Sequence, residues 1–238
     1  MPNLPSLEEM LKAGVHFGHQ KSKWHPKMAP FIFTEKNKIL IINLEETRKQ
    51  LATALSFISE LAAKGGVVLF LGTKRQAQEI IRDAAVSCGM PYITQHWLGG
   101  TFTNAKSVLG LVKNYRRLKF EKESGELDRY TKKERLSIER KIAKLDKVVG
   151  GLENLNRVPD AVFIVDIKNE KTALVESNLT GVPVVAMCDT NVNPSKVDYV
   201  IPANDDAVKS IKMVVGLVAE AVNEGKKSVA TKVEKEVK

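Results

Sequence analysis

The stretch HFGHQKSKWHPKM, residues 16–28, places three histidines, three lysines and one tryptophan within thirteen positions. Histidines spaced like His16 and His19 have the side-chain types of a metal site, and lysines around Trp24 have those of a surface that meets phosphates and stacks on bases. The cysteine-rich and HExxH patterns of zinc sites are absent, so we favour the second interpretation. A tryptophan that plugs the edge of the core is the alternative.

A second candidate, FLGTKRQ, lies where an apolar run ends and a helix begins. Free amides, the helix dipole and the cations Lys74 and Arg75 are the features of a phosphate seat at residues 72–75. The spacing is not that of a P-loop, and the chain has no GxGxxG. An ordinary strand-to-helix turn with exposed basic residues is the alternative interpretation.

Carboxylates also gather where predicted strands end, at Asp166, Asp189, Asp205 and Asp206. The carboxyl ends of parallel strands share one edge of a sheet, so these groups can hold a divalent cation. His16 or His19 nearby would shift the preference from Mg²⁺ to Zn²⁺. Helix capping by Asp205 or Asp206, with turn formation at Asp189, is the alternative that we favour.

A third loop, HWLGGTFTN at residues 96–104, contains Gly99 and Gly100 and therefore allows close approach of its backbone to a partner. Thr101, Thr103 and Asn104 would then donate to a phosphate backbone. A simple hinge connector is the alternative. For nucleophilic catalysis the chain has no GxSxG and no cysteine with an evident histidine base.

The elements that must position these loops alternate between strands and helices. Short apolar runs at 67–71, 91–94, 161–165, 181–187 and 198–202 predict buried strands, and helices are expected at 43–64, after 72–75, at 169–179 and at 205–224. Asn43 and Glu46 have the spacing of a capping box. This order predicts an α/β fold with a parallel sheet and helices on both faces. Residues 31–42 predict a β-hairpin that turns at 35–38.

Residues 104–157 interrupt that order with two heptad seams and no strand. One seam contains Val108, Leu111, Tyr115 and Leu118, and the other contains Ile138, Ile142, Leu145, Val149 and Leu152. They predict an inserted antiparallel coiled-coil hairpin. It has 15 Lys or Arg and 8 Asp or Glu, whereas the remaining 184 residues have 22 and 20. A solvated coiled coil is charged anyway, but this bias toward cations favours a polyanionic partner.

Composition sets the remaining limits on the 238-residue chain. Its net charge of +9 favours nucleic acid as partner, and no apolar run is long enough for a membrane span. Its only two cysteines, Cys88 and Cys188, lie beside apolar runs and are expected to be reduced core thiols in a cytosol. We expect a discontinuous globular domain of residues 1–103 and 158–225, the insertion at 104–157 and a disordered tail at 226–238.

Five motifs in register resemble the bacterial family of small-subunit ribosomal protein S2. They are AGVHFGHQKSKWHPKMAPFIF, LFLGTKRQA, HWLGGTFTN, PDAVFIVDIKNEKTALVESNLTGVPVVAMCDTNVNP and IPANDDAVKSI, and the resemblance spans about residues 6–224. It implies a flavodoxin-like three-layer α/β/α domain with an inserted helical hairpin. It also implies a structural role that has no catalytic residues to transfer.

The resemblance further implies rRNA binding at the junction of head and body, late entry during subunit assembly and support for docking of ribosomal protein S1. The positions carried over by motif are His16, Phe17, Gly18, Trp24, Pro26, Lys27, Gly72, Thr73, Lys74, Gly99, Gly100 and Asn104. His25 and His96 stand where the family usually has asparagine and arginine, which makes those two contacts uncertain. The short tail puts a tail-mediated contact in doubt.

From charge and position we expect rRNA to be contacted by Lys21, Lys23, Trp24, Lys27, Lys74, Arg75, Gly99, Gly100, Asn104, Lys106, Lys113, Arg116, Arg117, Lys132, Lys133 and Arg140. Neighbouring ribosomal proteins are the other expected partners. Two rival functions remain open at this point. One is a flavodoxin-like enzyme or binding domain for a phosphorylated small molecule at residues 72–75, with Mg²⁺ held by Asp166 and Asp189. The other is a protein scaffold whose hairpin docks helices.

Overall fold

A computed structural model describes residues 3–236 as two β-sheets with flanking helices. The strands are β1 (Phe17–Gln20), β2 (Ile32–Lys36), β3 (Ile39–Ile42), β4 (Val68–Leu71), β5 (Tyr92–Ile93), β6 (Ala161–Val165), β7 (Val184–Cys188) and β8 (Tyr199–Pro202). The helices are α1 (Leu7–Ala13), α2 (Leu44–Ala63), α3 (Gln78–Cys88), α4 (Ala105–Glu123), α5 (Lys132–Val149), α6 (Lys171–Thr180) and α7 (Val208–Glu236).

The larger sheet contains five parallel strands in the order β5-β4-β6-β7-β8. Counted within this sheet the order is 2-1-3-4-5, which is that of flavodoxin-like folds. The central strands are buried on both faces, as their branched apolar runs predict. The predicted α/β class and parallel sheet are therefore confirmed.

Alternate residues of each strand pack into two different cores. Phe70 and Phe163 point toward α2, α3 and α7 and meet edge to face, with ring centroids 5.6 Å apart. Leu69 and Ile164 point the other way, toward α6 and the base of the α4–α5 pair. The segment inserted between β5 and β6 thus contributes to the second helical layer as well as projecting from it.

Helices α4 and α5 run antiparallel, since hydrogen bonds and ion pairs join Tyr115 to Asp146 and Lys122 to Glu139. Five residues of α4 are buried, the hydrophobic Val108, Val112, Tyr115 and Leu118 and, near the end of the helix, Glu121. Leu111, which belonged to the predicted seam, is 41% exposed. Val112 is buried in its place, because residues 108 and 112 lie one helical turn apart on the same face of α4. The helical hairpin is present, while supercoiled coiled-coil packing stays a prediction.

The smaller sheet is antiparallel, in the order β1-β3-β2. The predicted hairpin at 31–42 is confirmed, and its turn places Asn37 and Lys38 at φ of 52° and 64°. Strand β1 was not predicted from sequence, because FGHQ lacks the alternation of apolar and polar residues that indicates a strand. In the structure its side chains are exposed or half-buried. It makes the first half of the histidine-rich stretch part of a sheet.

Two helix ends differ from expectation. Asn43 caps α2 by accepting from the amides of Glu45 and Glu46, but Glu46 pairs with Lys49 instead of completing the capping box. Helix α7 continues through Glu236, where we expected it to end near 224 and be followed by a disordered tail; residues 237 and 238 lie outside the described part. Both cysteines are buried and free, as predicted.

Candidate nucleic-acid interface

One face of α5 presents a line of cations to solvent. Lys133, Arg140, Lys144 and Lys147 are separated by seven, four and three residues, so they fall on one side of the helix along about 21 Å. All four are exposed, and none has an ion pair or side-chain hydrogen bond among the described residues. We call these four residues the α5 stripe. Lys132 and Lys141 flank it and are equally exposed.

Helix α4 has a shorter line with the same spacing. Lys106 and Lys113 are exposed and unpaired within residues 3–236. Arg117, four residues further on, is 63% exposed but bonds Glu121 at 3.0 Å and Asn114 at 3.1 Å. The predicted contacts Lys106, Lys113, Lys132, Lys133 and Arg140 are therefore accessible, whereas Arg117 is shared with a neighbour on its own helix.

Arg116 does something different from what its charge predicted. Its guanidinium donates to the carbonyls of Glu153 and Leu155 and, at 2.7 Å, to the Asn156 side chain. All three nitrogens are thus used inside the protein. Arg116 fixes the segment that returns from α5 to the sheet, and its guanidinium has no nitrogen left without a partner for a phosphate.

The N-terminal loop keeps most of its predicted side chains at the surface. Lys23 and Lys27 are exposed without partners in the described chain, and Lys21 pairs with Glu35 at 2.6 Å. The Trp24 side chain is 36% exposed, so it does not plug the core. It lines a shallow surface pocket together with the hairpin residues Ile32 and Leu40, and part of its ring surface faces solvent.

The 72–75 loop holds a carboxylate of the protein itself. Glu170, 3% exposed, accepts from the Thr73 amide at 3.1 Å and from its hydroxyl at 2.5 Å. Burial raises the pKa of Glu170, and the two bonds from Thr73 oppose that rise. Because Glu170 occupies the amide that a phosphate would use, the predicted phosphate seat is not available in this arrangement.

The Lys74 ammonium is also used within the fold. It lies 2.5 Å from Asp206, 2.8 Å from Asp205 and 3.5 Å from Asp166, and its side chain is 15% exposed. Burial lowers the pKa of Lys74, but the three carboxylates more than offset this and raise it above the ordinary value. Lys74 is therefore a largely covered counter-ion within the fold, and only Arg75 of this loop is exposed.

The 97–104 loop is organised by a second buried glutamate. Glu176, 6% exposed, accepts from the amides of Gly100, Phe102 and Thr103 at 2.7 to 3.3 Å, and also from the Trp97 indole and the Thr103 hydroxyl. Burial raises the pKa of Glu176, but these bonds outweigh it and lower the pKa overall.

That loop therefore has few donors left for RNA. Gly100 adopts φ of +90°, which a side chain would strain, so this glycine serves the turn around Glu176. Gly99 and Asn104 are exposed, but the Asn104 side chain accepts from the Ser107 hydroxyl. The interpretation of residues 96–104 as a connector is the better one, with Gly99 as its freely accessible point.

Sequence reasoning missed Glu170 and Glu176, both of which belong to α6 or its first turn. One signal was available. Glu176 lies between Ala173 and Ser177 on the face of α6 that faces the sheet, and a carboxylate on a buried face must have donors to pair with. Two loops with free amides, at 72–75 and 97–104, were the nearest candidates along the sheet edge.

The acidic residues do converge at the carboxyl edge, and His19 joins them. His19 Nδ1 is 3.1 Å from Asp189 Oδ2, and His19 Nε2 is 3.3 Å from Asp206 Oδ2. These three residues can place one ligand atom each within 4.8 Å of the others. Neighbouring carboxylates, Asp189 foremost, raise the pKa of His19 against the effect of burial. His16 lies elsewhere, beside Phe17 in a groove with Leu7.

Strand β1 reaches this edge by close backbone contact. The His19 amide donates to the Thr190 hydroxyl at 2.9 Å, and a Cβ on Gly18 would lie 2.6 Å from Thr190 Cγ2. Only glycine at position 18 lets β1 approach the loop after β7 this closely. The segment with the basic lysines is thereby attached to the end of the parallel sheet.

Helix capping does not account for Asp205 and Asp206. The amides of Asp206 and Ala207, before α7, donate to the Asn204 side chain, and the carboxylates of Asp205 and Asp206 accept from Lys74. The capping interpretation is thus wrong for these two aspartates. The predicted turn at Asp189 is present, since its carboxylate accepts from the amide and hydroxyl of Thr190; Asp166 likewise accepts from the Lys168 and Asn169 amides in the turn before α6.

Asp166 also has φ of +66°, a conformation that is unusual for a residue with a side chain. Burial, followed by the charges of Asp166 and Asp189, raises the pKa of Asp205 to about 7, although Lys74 opposes the shift. Four carboxylates with one ammonium and one imidazole therefore form an excess of negative charge at this edge. We call Asp166, Asp189, Asp205 and Asp206, together with His19 and Lys74, the edge cluster.

Taken together, the sheet order and the projecting helical pair define a flavodoxin-like α/β protein with a cationic insertion. A family model described as Ribosomal protein S2 matches residues 10–225. The chain belongs to this family and is a structural protein of the small ribosomal subunit. Ribosomal proteins are generally non-enzymatic, and they have rRNA and other ribosomal proteins as partners. No helix within residues 3–236 is long and apolar enough to cross a membrane.

Proposed function

We propose that the chain binds small-subunit rRNA at the junction of head and body, through the α5 stripe, the cations of α4 and the N-terminal loop around Trp24. The observation that carries this proposal is that many lysines and arginines of the insertion have no ion pair or hydrogen bond within the described chain. Eight of the 15 Lys or Arg in residues 104–157 have no partner among the described residues, and six of these eight are on α5. Unpaired exposed cations release counterions when they meet phosphates.

Shape supplies the specificity in this proposal. The base of the α4–α5 pair packs against one face of the parallel sheet, so the stripe can match a fixed path of phosphates on folded RNA. Trp24 offers a partly exposed aromatic surface beside Lys23 and Lys27 for a base or a sugar. A cytoplasmic location follows from membership of the ribosome in bacteria.

Sucrose-gradient sedimentation of a lysate tests the proposal. The protein should migrate with small subunits at low salt and dissociate as salt rises. Replacing Lys133, Arg140, Lys144 and Lys147 by glutamate should weaken association at least about tenfold. A matched control replaces Lys64, Lys171, Lys209 and Lys212, four exposed lysines outside the hairpin, by glutamate. Equal loss in both variants, or none in the first, would exclude the α5 stripe from the interface.

We further propose that the chain supports docking of ribosomal protein S1, as the family resemblance implies. An exposed apolar groove supports a protein contact of this kind. Leu11 and Phe33 are 51% and 72% exposed and line it together with His16 and Leu44. Exposed apolar surface rimmed by polar residues is typical of protein interfaces.

The S1 content of purified subunits tests that second proposal. Leu11→Glu combined with Phe33→Glu should reduce it, because charges would enter the groove. Val86→Glu combined with Leu179→Glu is the matched control, since both side chains are more than 60% exposed outside the groove. If the two double variants retain the same S1 content, the groove is not the docking surface.

The rival of a small-molecule phosphate site has less support. Its amide at Thr73 is occupied by Glu170, and its lysine is paired with three aspartates. Equilibrium dialysis with nucleotides and sugar phosphates distinguishes the two functions. Tight binding that survives neutralisation of the α5 stripe would favour the small-molecule function over rRNA binding.

A further inference from the structure

A cavity of about 330 Å³ lies at the base of the helical insertion, between the edge strand β5 and the end of α5. Its walls are formed by residues 92–95, by the side of α4 that contains Tyr115 and Lys119, and by residues within 146–153. Arg82, an exposed residue of α3, lies at its rim. We call this feature the hairpin-base cavity.

Contacts within the fold hold the walls of the hairpin-base cavity in place. Gly151, just after α5, lies so close to β5 that a Cβ there would collide with the carbonyl oxygen of Tyr92. Only glycine at position 151 therefore lets the end of α5 approach the sheet edge in this way. On the other side, the Tyr115 hydroxyl donates to Asp146 at 2.6 Å and joins α4 to α5.

Other polar groups of the cavity have no partner within the described chain. The hydroxyl of Thr94 and the amide of Gln95 make no hydrogen bond among residues 3–236, although Thr94 is half-buried. A threonine hydroxyl both donates and accepts, and a glutamine amide has an acceptor oxygen and two donors. Arg82 donates to Asp83 through Nε alone, at 3.0 Å. These groups fit a polar ligand that has donors and acceptors of its own.

The charge of the lining favours an anionic ligand. Arg82, Lys119 and Lys147 line the cavity together with two acidic residues, Asp146 and Glu153. Both acidic residues are already bonded within the fold, since Asp146 accepts from a tyrosine and the two oxygens of Glu153 lie 2.9 Å from the Lys119 ammonium. Lys147 has no partner among the described residues.

The position of Lys147 connects this cavity to the α5 stripe. Lys147 is the last cation of the stripe, so a path of phosphates that follows α5 ends at the cavity. Pockets for small molecules are lined predominantly by apolar side chains, whereas Ile93 and Val148 are the only apolar side chains among the lining residues that the structure describes here. The lining is therefore more typical of contact with a nucleic acid than of a small-molecule site.

We propose that the hairpin-base cavity accepts one unpaired nucleotide of the rRNA, with its base beside Thr94 and Gln95 and its phosphate at Lys147. This inference rests on the proposed rRNA binding and adds a site that reads a base. Proteins recognise unstacked RNA bases by hydrogen bonds to their edges and by stacking on aromatic rings or guanidinium planes, and Arg82 supplies such a plane at the rim. The stripe would position the RNA backbone, and the cavity would distinguish one base.

A charge-neutral double variant tests the proposal. Thr94→Val combined with Gln95→Met removes the unpaired polar groups and leaves every cation in place. Rebinding to small subunits depleted of the protein should weaken about tenfold, because two hydrogen bonds to the base are lost. The slope of log K against log [salt] should stay as in the parent, because no phosphate contact is removed.

The matched control is Gln50→Met combined with Thr53→Val. It removes the same two kinds of group from α2, which packs against β8 at the opposite edge of the parallel sheet from β5. Its affinity and salt slope should equal those of the parent. Thermal unfolding of both double variants shows that a loss of binding in the first does not arise from a loss of folding.

Base-specific chemical probing of the rRNA in these particles supplies a local measurement. One unpaired base should be protected from modification by the parent and by the control, and should become reactive with the Thr94→Val and Gln95→Met variant. Equilibrium dialysis of the isolated chain with free nucleoside monophosphates should show no binding at micromolar concentrations, because a free nucleotide lacks the remaining contacts along the stripe.

Three results would overturn the proposal: parental affinity in the Thr94→Val and Gln95→Met variant, an identical pattern of base protection in that variant, and micromolar binding of a free nucleotide, which would assign the cavity to a small molecule. Sedimentation of the parent and of the α5 stripe variant measures rRNA association separately. The cavity can therefore fail as a nucleotide site while the proposed function stands.

Discussion

The α5 stripe and the edge cluster are both rich in charge, but they use it in opposite ways. In the stripe, four cations stand in solvent with no partner among the described residues. In the edge cluster, Lys74 is held by three aspartates, and the nearby loops at 72–75 and 97–104 have their amides bonded to Glu170 and Glu176. The first region leaves its charge available to an external partner, and the second uses most of its charge within the fold.

This difference shows that whether a basic residue can bind phosphate depends on its partners within the protein and not on its charge alone. Lys74, Arg116 and Lys133 are all basic residues in motifs or helices that favour phosphate contacts. Only Lys133 is exposed and unpaired, whereas Lys74 is a counter-ion and Arg116 binds backbone carbonyls. We therefore expect substitutions at the first two positions to change stability and those in the stripe to change RNA binding.

Lys74→Met is expected to give the largest effect. Removal of the ammonium leaves Asp166, Asp205 and Asp206 without their common counter-ion, which should reduce the free energy of unfolding by about 3–5 kcal/mol. Urea denaturation measures the change. Arg75→Met is the control, because Arg75 is exposed, and it should stay within about 0.5 kcal/mol of the parent. A loss below about 1 kcal/mol in Lys74→Met would show that the cluster is not held by this residue.

Glu176→Gln should have the next largest effect, about 2–3 kcal/mol, because an amide cannot accept from all five donors of the 97–104 loop. The pKa of Glu176 is lowered from 4.5, so its contribution is fully present above that pH and is lost as pH falls through the lower, folded-state value. The difference between parent and variant should therefore shrink below about pH 4.5.

Chemical denaturation between pH 3 and pH 7 measures that convergence. Glu220→Gln, at an exposed position of α7, is the control and should have little effect at neutral pH. A difference between Glu176→Gln and the parent that stays constant as the pH falls would contradict a role for the charged form of Glu176 in organising the loop.

The sequence was sufficient for the elements of the fold and insufficient for the partners of its polar groups. Residues 67–71 and 161–165 are apolar on every position, and only a strand covered on both faces explains such short runs. Sequence left a phosphate seat and an ordinary turn at 72–75 equally open, because a free amide has the same appearance in sequence whether a ligand or Glu170 occupies it. That glutamate is distant along the chain, and only the sheet order brings it close.

The same distinction holds for the candidate site residues: their exposure could be predicted from the sequence, whereas their hydrogen-bond partners could not. Exposure of Lys133 and Arg140 followed from helical periodicity, since the apolar seam fixes which face of α5 is buried. Neither Arg116 nor β1 could be assigned in this way. The carbonyls that Arg116 binds belong to the irregular segment after α5, and β1 is a strand because it pairs with β3, which its own four residues do not indicate.

Two adjacent arginines on α4 sharpen the comparison within one helical turn. Arg116→Ala should lower the free energy of unfolding by about 1–2 kcal/mol, because the carbonyls of Glu153 and Leu155 lose a charged donor. Arg117→Ala removes a guanidinium that is 63% exposed and bonds Glu121 and Asn114 on its own helix, and it should cost less, about 0.5 kcal/mol. Thermal unfolding measures both, and equal losses would show that the clamp around residues 153–156 contributes no more than a surface pair.

The smallest expected effect is a change in the salt dependence of RNA binding when one stripe cation is neutralised. If Lys144 contacts a phosphate, Lys144→Gln should reduce the slope of log K against log [salt] by about one, measured with rRNA fragments over a range of potassium concentrations. Lys171→Gln removes an exposed lysine at the start of α6 and should leave the slope unchanged. Stability should be unaffected in both variants, because neither side chain has a partner in the described chain. A slope that falls equally for both lysines would mean that RNA responds to net charge alone, and the distinction between an exposed stripe and a satisfied edge would then have no functional meaning.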